Sequence, residues 1–165
     1  MRLEATCSSE PPSEGSYLHA TARQLEAIRL RVLGLTYQSI GENMGISPET
    51  VNKHIDYCVS QNNLPFVFLV EELISSGQLD VDELATHFDF NRYEELDGRQ
   101  RRIFQVATDK ENWERTIGSI ASDLEMAEQT LKNQLCGIYD VLGIRHSISR
   151  ARVYRLIAPS NLMKA

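Results

Sequence analysis

At 165 residues with 42% apolar side chains, the chain has material for one domain or two small ones. Its longest apolar run, Phe66–Val70, falls well short of the roughly 18 residues of a membrane span. A net charge of −6 excludes a uniformly basic nucleic-acid binder, and three cysteines without a Cys-x-x-Cys pair (Cys7, Cys58, Cys136) argue against a disulfide framework or a zinc site.

The opening stretch carries Glu4, Glu10, Pro11, Pro12 and Gly15 without an apolar segment, so residues 1–16 are expected to be a disordered tail rather than a signal peptide. Cys58 and Cys136 fall within helical patterns and are expected to be buried thiols in a reducing cytoplasm. Thr21 is a candidate N-cap, and Gln24 three residues later completes a capping box. Leu25, Ile28, Val32 and Leu35 follow at helical steps, and Gly34 is placed to end that helix.

A second helix is expected over about residues 37–44. Gly45 then supplies a sharp turn, because a left-handed backbone costs glycine no steric clash. Ser47 caps a third helix and Pro48 occupies its first turn, where a missing N–H does no harm. Val51, Ile55 and Cys58 then face inward and Glu49, Thr50, Asn52, Lys53, Asp56 and Tyr57 face out. A further apolar helix is expected over about residues 65–74.

Nine acids and only Arg92 lie between Glu71 and Asp97, a net of −8 that leaves +2 for the remainder of the chain. Leu79, Val81, Leu84, Phe88 and Phe90 are spaced through this stretch, so residues 75–95 read as an acidic, helical connector rather than a flexible linker.

The pattern of the first unit then returns about 80 residues on. Ile40, Met44, Ile46, Val51 and Ile55 find counterparts in Ile120, Leu124, Met126, Leu131 and Leu135. Four extra residues fall between Thr108 and Arg115. In the second copy Glu125 replaces the turn glycine and Ala127 replaces the cap, the latter at a cost of about 1 kcal/mol. The expected helix there buries Leu131, Leu135, Ile138 and Leu142 and presents Gln129, Thr130, Lys132, Asn133 and Tyr139. Gly143 ends it, and a basic last helix carries Arg150, Arg152 and Arg155.

These segments, Thr21–Ile28, Ser39–Gly41 and Ile46–His54 above all, resemble the LuxR/GerE-type helix-turn-helix of bacterial transcription regulators. Thr130–Asn133, Ile138–Tyr139 and Leu142–Ile144 follow the same pattern in the second copy. The resemblance implies an all-α chain of two tandem four-helix units, at residues 17–74 and 96–158, with a short tail at 159–165. It implies a third helix in each unit that enters the major groove and a fourth that often forms a dimer contact, for which Phe66, Phe68 and Leu69 are placed. Two units in one chain could then imitate the two half-sites that a dimer presents.

The expected DNA-reading set is Ser47, Glu49, Thr50, Asn52, Lys53, His54 and Tyr57, with Gln129, Thr130, Lys132, Asn133 and Gln134 in the second unit. Asn pairs bidentately with adenine, and Lys donates to guanine or phosphate. Arg23, Tyr37, Arg99 and Arg145 are expected on phosphates, and the Arg145, Arg150, Arg152, Arg155 cluster either grips phosphate or pairs with the acidic connector. The sequence departs from the family pattern where a lysine is usual and Asn52 stands, and where a basic pair is usual and Ser60–Gln61 and Asp140–Val141 stand.

No Gly-x-Ser-x-Gly elbow, phosphate-cradling glycine loop or His-Glu-x-x-His pair is present, so no enzyme and no cofactor is expected. Double-stranded DNA is the expected partner, with another regulator or RNA polymerase as further candidates. The rival expectation is a protein-interaction module, a co-regulator or anti-activator, that keeps the fold with weak or no DNA binding.

Overall fold

A computed structural model describes residues 18–164; the expected tail at 1–16 and Cys7 lie outside them. Among the described residues the fold is all-helical, and none of its helices is long and apolar enough to cross a membrane. The chain divides into two compact units, one ending at Asp80 and one beginning at Val81, with Val32–Gly34 counted with the second.

The first unit holds α1 (Ala22–Val32), α2 (Tyr37–Met44), α3 (Pro48–Asn62) and α4 (Phe66–Ser75). Thr21 and Gln24 form the expected capping box: the Gln24 amide donates to Thr21 Oγ1 (3.1 Å) and the Thr21 amide to Gln24 Oε1 (3.0 Å). The two donors that helix geometry orphans are thereby satisfied at each other's expense. Thr36 caps α2 by accepting from the Ser39 amide at 3.0 Å, and Gly45 ends it at φ 73°. The buried residues Ile28, Ile40, Val51, Ile55, Cys58, Leu69 and Leu73 come from all four helices and build the core, with α2 packed on α3 and α3 on α4.

The second unit holds α5 (Val81–Ala85), a 3-10 turn (Phe90–Glu95), α6 (Gly98–Thr108), a 3-10 turn (Lys110–Asn112), α7 (Ile117–Asp123), α8 (Glu128–Leu142) and α9 (Ile148–Ile157). Asp97 and Gln100 cap α6 with the same reciprocal box that opens α1. Thr116 caps α7 through the Ser119 amide (3.1 Å), as Thr36 does for α2. Around Phe104, Ile120, Leu131, Ile138 and Tyr154 the core draws on α6, α7, α8 and α9.

The correspondence between the units reaches single hydrogen bonds. Ile46 N donates to Gly41 O (2.9 Å) and Met126 N to Ala121 O (3.0 Å). Leu64 N donates to Val59 O (3.2 Å) and Ile144 N to Tyr139 O (3.1 Å). Both α3 and α8 are 15 residues long, and both end in a left-handed residue, Asn63 at φ 54° and Gly143 at φ 73°. The four extra residues of the second copy are absorbed after α6, where the Lys110–Asn112 turn forms and Trp113 Nε1 donates to Thr108 O (3.0 Å).

Two expectations are corrected. The stretch 75–95 is not one connecting helix: Leu79 is buried on the first-unit side, and from Val81 onward the chain folds into the second unit. Its aromatic residues pull it there, Phe88 stacking on Phe90 (5.6 Å between centroids) and Phe90 meeting Tyr154 edge-on at 5.0 Å. Within the expected tail at 159–165, Leu162 and Met163 pack against the second core. Finally, Leu69 is fully buried and is no surface for a dimer, leaving half-buried Phe66 and Phe68 of that expected trio.

Candidate nucleic-acid interface

In the first unit the candidate face is built by the start of α3. Ser47 Oγ accepts the Thr50 amide at 3.1 Å and shares a hydrogen bond with Thr50 Oγ1 at 2.9 Å, so these two hydroxyls fix the helix entry. Pro48 occupies the first turn, and Val51, Ile55 and Cys58 anchor the opposite face in the core. The helical period then leaves Glu49, Lys53, Asp56 and Tyr57 exposed, and Thr50, Asn52 and His54 half-buried beside them. At 60% exposure, Tyr57 is the large apolar side chain most open to solvent among the described residues.

Thr50, Lys53, His54 and Tyr57 line one open groove of about 650 Å³ with Thr21 and Gln24 of the α1 cap. Asp56 and Ser60 complete its rim, and neither these two nor the α1 cap residues belong to the expected reading set. The capping box made Thr21 and Gln24 visible in the sequence, but only as helix-starting residues. Asn62 was missed altogether: its amide donates to His19 O (2.9 Å) and Cys58 O (2.8 Å) and its Oδ1 accepts the His19 amide (2.8 Å). That side chain ties the segment before α1 to the end of α3. Burial pushes the Cys58 thiol up from its ordinary range, so it is a packed neutral group.

The equivalent face of α8 is chemically different. Lys132 Nζ pairs with Glu128 at 3.1 Å, and Gln129 Nε2 donates to Asn133 Oδ1 at 3.0 Å. Thr130 is exposed and Gln134 half-buried. Ala127 stands at the cap without a side-chain hydrogen bond, as the missing hydroxyl requires. Asp140 near the helix end meets His146 Nε2 at 2.7 Å. Tyr139, expected on the surface, is buried at 4% exposure, and that burial pushes its phenol up to about 12. Cys136, expected to be buried, is exposed.

The expected phosphate contacts divide between the two units, Arg23 and Tyr37 in the first and Arg99 and Arg145 in the second. Arg23 is exposed and donates from Nη2 to Met44 O (3.2 Å), the Arg31 guanidinium lies 4.6 Å over the Tyr37 ring, and Arg99 is exposed. Arg145 is exposed with Nε on Gly34 O at 3.1 Å.

The basic stripe of α9 is largely internal, a correction to its reading as a phosphate grip. Arg152 is only 6% exposed and donates to Trp113 O (2.8 Å), Asn112 O (2.9 Å) and Ala107 O (3.2 Å). Arg155 Nη1 reaches Gln105 O at 2.8 Å. These guanidiniums satisfy the carbonyls that a helix end leaves without intrahelical partners, here at the end of α6 and the turn after it.

Electrostatically, α3 carries Glu49 and Asp56 against Lys53, and α8 carries Glu128 and Asp140 against Lys132. Neither helix is basic, so any anion affinity at α3 rests on Lys53, on the positive helix start and on neutral donors. No family model, curated protein or solved structure matches the chain.

Proposed function

We propose that this chain is a DNA-binding transcription regulator of the LuxR-like helix-turn-helix kind whose first unit does the reading. The observation that carries this is the single surface of α3 on which Thr50, Lys53, His54 and Tyr57 stand together behind a capped helix start, with Asn52 on its other flank. In the mechanism, α3 enters the major groove with its first three turns. Asn52 offers an amide for the adenine edge, Lys53 a donor for guanine or phosphate, and Tyr57 an apolar ring for a thymine methyl. Ser47 and Thr50 keep the helix start fixed, so the entropy of ordering the reader is largely spent before DNA arrives.

A second reading has its own support. Lys132 is paired within α8, Arg152 is spent on carbonyls, and an acid stands near the end of that helix at Asp140. On that reading the second unit contacts another regulator or RNA polymerase, and the whole chain is a co-regulator or anti-activator without useful DNA affinity.

Selection from a random duplex pool at low salt separates the two. The DNA reading expects an enriched motif whose affinity falls with salt and falls again in Lys53→Ala, with the salt slope reduced by about one. No enrichment at low salt would leave the interaction module as the account.

A further inference from the structure

The two units place different side chains at one matching position. Leu64 N to Val59 O closes the end of α3 as Ile144 N to Tyr139 O closes the end of α8, so Asn62 stands where Leu142 stands in the second unit. Leu142 is buried and packs in the second core. Asn62 is half-buried and gives its amide to main chain instead. Its Oδ1 accepts the His19 amide (2.8 Å) and its Nδ2 donates to His19 O (2.9 Å), the two-way exchange by which residues on neighbouring strands pair. Nδ2 also donates to Cys58 O (2.8 Å), and Cys58 Sγ lies 3.6 Å from His19 O.

A hydrogen-bonded polar side chain at a place where leucine can pack adds little stability; what it fixes is one arrangement of the groups it joins. Here it fixes the short segment before α1 against the end of α3. Thr21, two residues past His19, and Gln24 form the wall of the open groove across from Thr50, Lys53, His54 and Tyr57. Asn62 does not line that groove, yet through His19 it sets where the wall stands. The wall is also the start of α1, a positive helix end that favours a nearby phosphate chain.

We infer that Asn62 is a positioning residue for the DNA contact. Through both main-chain groups of His19 it holds the start of α1 beside the exposed face of α3, so a duplex meets both walls of the groove at once. This rests on the reading of α3 as the DNA-contacting helix. Without the clamp, the cost of ordering the α1 wall falls on binding, and affinity drops while the fold stays intact.

The test substitutes the second unit's residue into the first, as Asn62→Leu in the full chain, with Asn62→Ala as a companion that adds no bulk. Two readouts are taken: hydrogen exchange at the His19 amide without DNA, and affinity for the duplex enriched from a random pool. The His19 amide should exchange slowly in the parent and rapidly in both variants. Asn62→Leu should melt no earlier than the parent, yet both variants should bind the duplex about tenfold more weakly. Amide shifts on duplex addition should persist at Thr50, Lys53 and Tyr57 and vanish at Thr21 and Gln24, a split that a merely structural role would not produce. Unprotected His19 in the parent would overturn the clamp. Parent-like affinity in folded variants with His19 released, or a loss only in step with unfolding, would overturn the positioning role. A parent that binds no duplex while His19 stays protected overturns that role through the regulator reading and leaves the clamp standing, so the two failures are distinct.

Discussion

Gly45 and Glu125 occupy the same point of two matching turns and hold the same left-handed backbone, at φ 73° and φ 59°. For glycine that conformation is free, whereas for a residue with a Cβ it costs about 1–2 kcal/mol. The hydrogen bond closing each turn is nevertheless conserved in geometry, Ile46 N to Gly41 O and Met126 N to Ala121 O. Packing of Leu124 and Met126 against the second core is what holds Glu125 in place. Glu125→Gly should therefore stabilise the chain by about 1 kcal/mol, and Gly45→Ala should destabilise it by a similar amount. Urea denaturation followed by circular dichroism reads both signs. A destabilising Glu125→Gly would mean that the glutamate side chain makes a contact worth more than the strain.

The helix starts differ in the same direction. Ser47 caps α3 through the Thr50 amide, while Ala127 offers α8 nothing. Ala127→Ser should add about 1 kcal/mol, and Ser47→Ala should remove about as much. The two changes are in separate units and should be additive in a double variant, checked by the same denaturation curves.

Arg152 is expected to matter for folding and not for phosphate. Replacing it with Met strands the carbonyls of Ala107, Asn112 and Trp113 beneath α9 and should cost about 3 kcal/mol. Arg99→Met, on the exposed side of α6, should stay within about 0.5 kcal/mol of the parent. A thermal melt that left Arg152→Met unchanged would return this arginine to the list of available cations.

Acid should loosen the start of the second unit's turn. Arg115 Nη1 lies 2.6 Å from Asp123, and its guanidinium holds that carboxyl below the ordinary aspartate range. A folded-state value below the unfolded one adds stability that is fully present above the unfolded aspartate value. That stability is lost as pH falls through the lower folded value. Asp123→Asn should flatten this acid limb below about pH 4 and leave the neutral region nearly unchanged, as the pair is exposed. Melting temperatures of both proteins from pH 2 to 7 give the comparison.

Most of the local architecture was legible because its signals are local. Thr21 with Gln24, Gly45, Ser47 with Pro48, and the apolar steps of α3 each act within one turn of chain, and each appears where the spacing puts it. The repeat carried the same reading into α7 and α8. What was not legible depends on tertiary partners. An arginine on α9 reads identically whether its guanidinium meets phosphate or the end of α6, and only packing of α9 on α6 decides for Arg152. Tyr139 and Cys136 were assigned the wrong sides because neither polarity nor size separates them on a helix face; their angular position relative to Leu135 and Ile138 does. The acidic stretch hid its division because its charge pattern is continuous across Asp80, while its apolar residues belong to different cores.

The central claim is that α3 of the first unit carries the DNA contact. Amide NMR of the full chain, titrated with the duplex enriched from a random pool, tests it most directly. The account predicts the largest shifts at Thr50, Asn52, Lys53, His54 and Tyr57, smaller ones at Thr21 and Gln24 across the groove, and their loss at high salt. Shifts confined to α8, or none with any duplex at low salt, would contradict it.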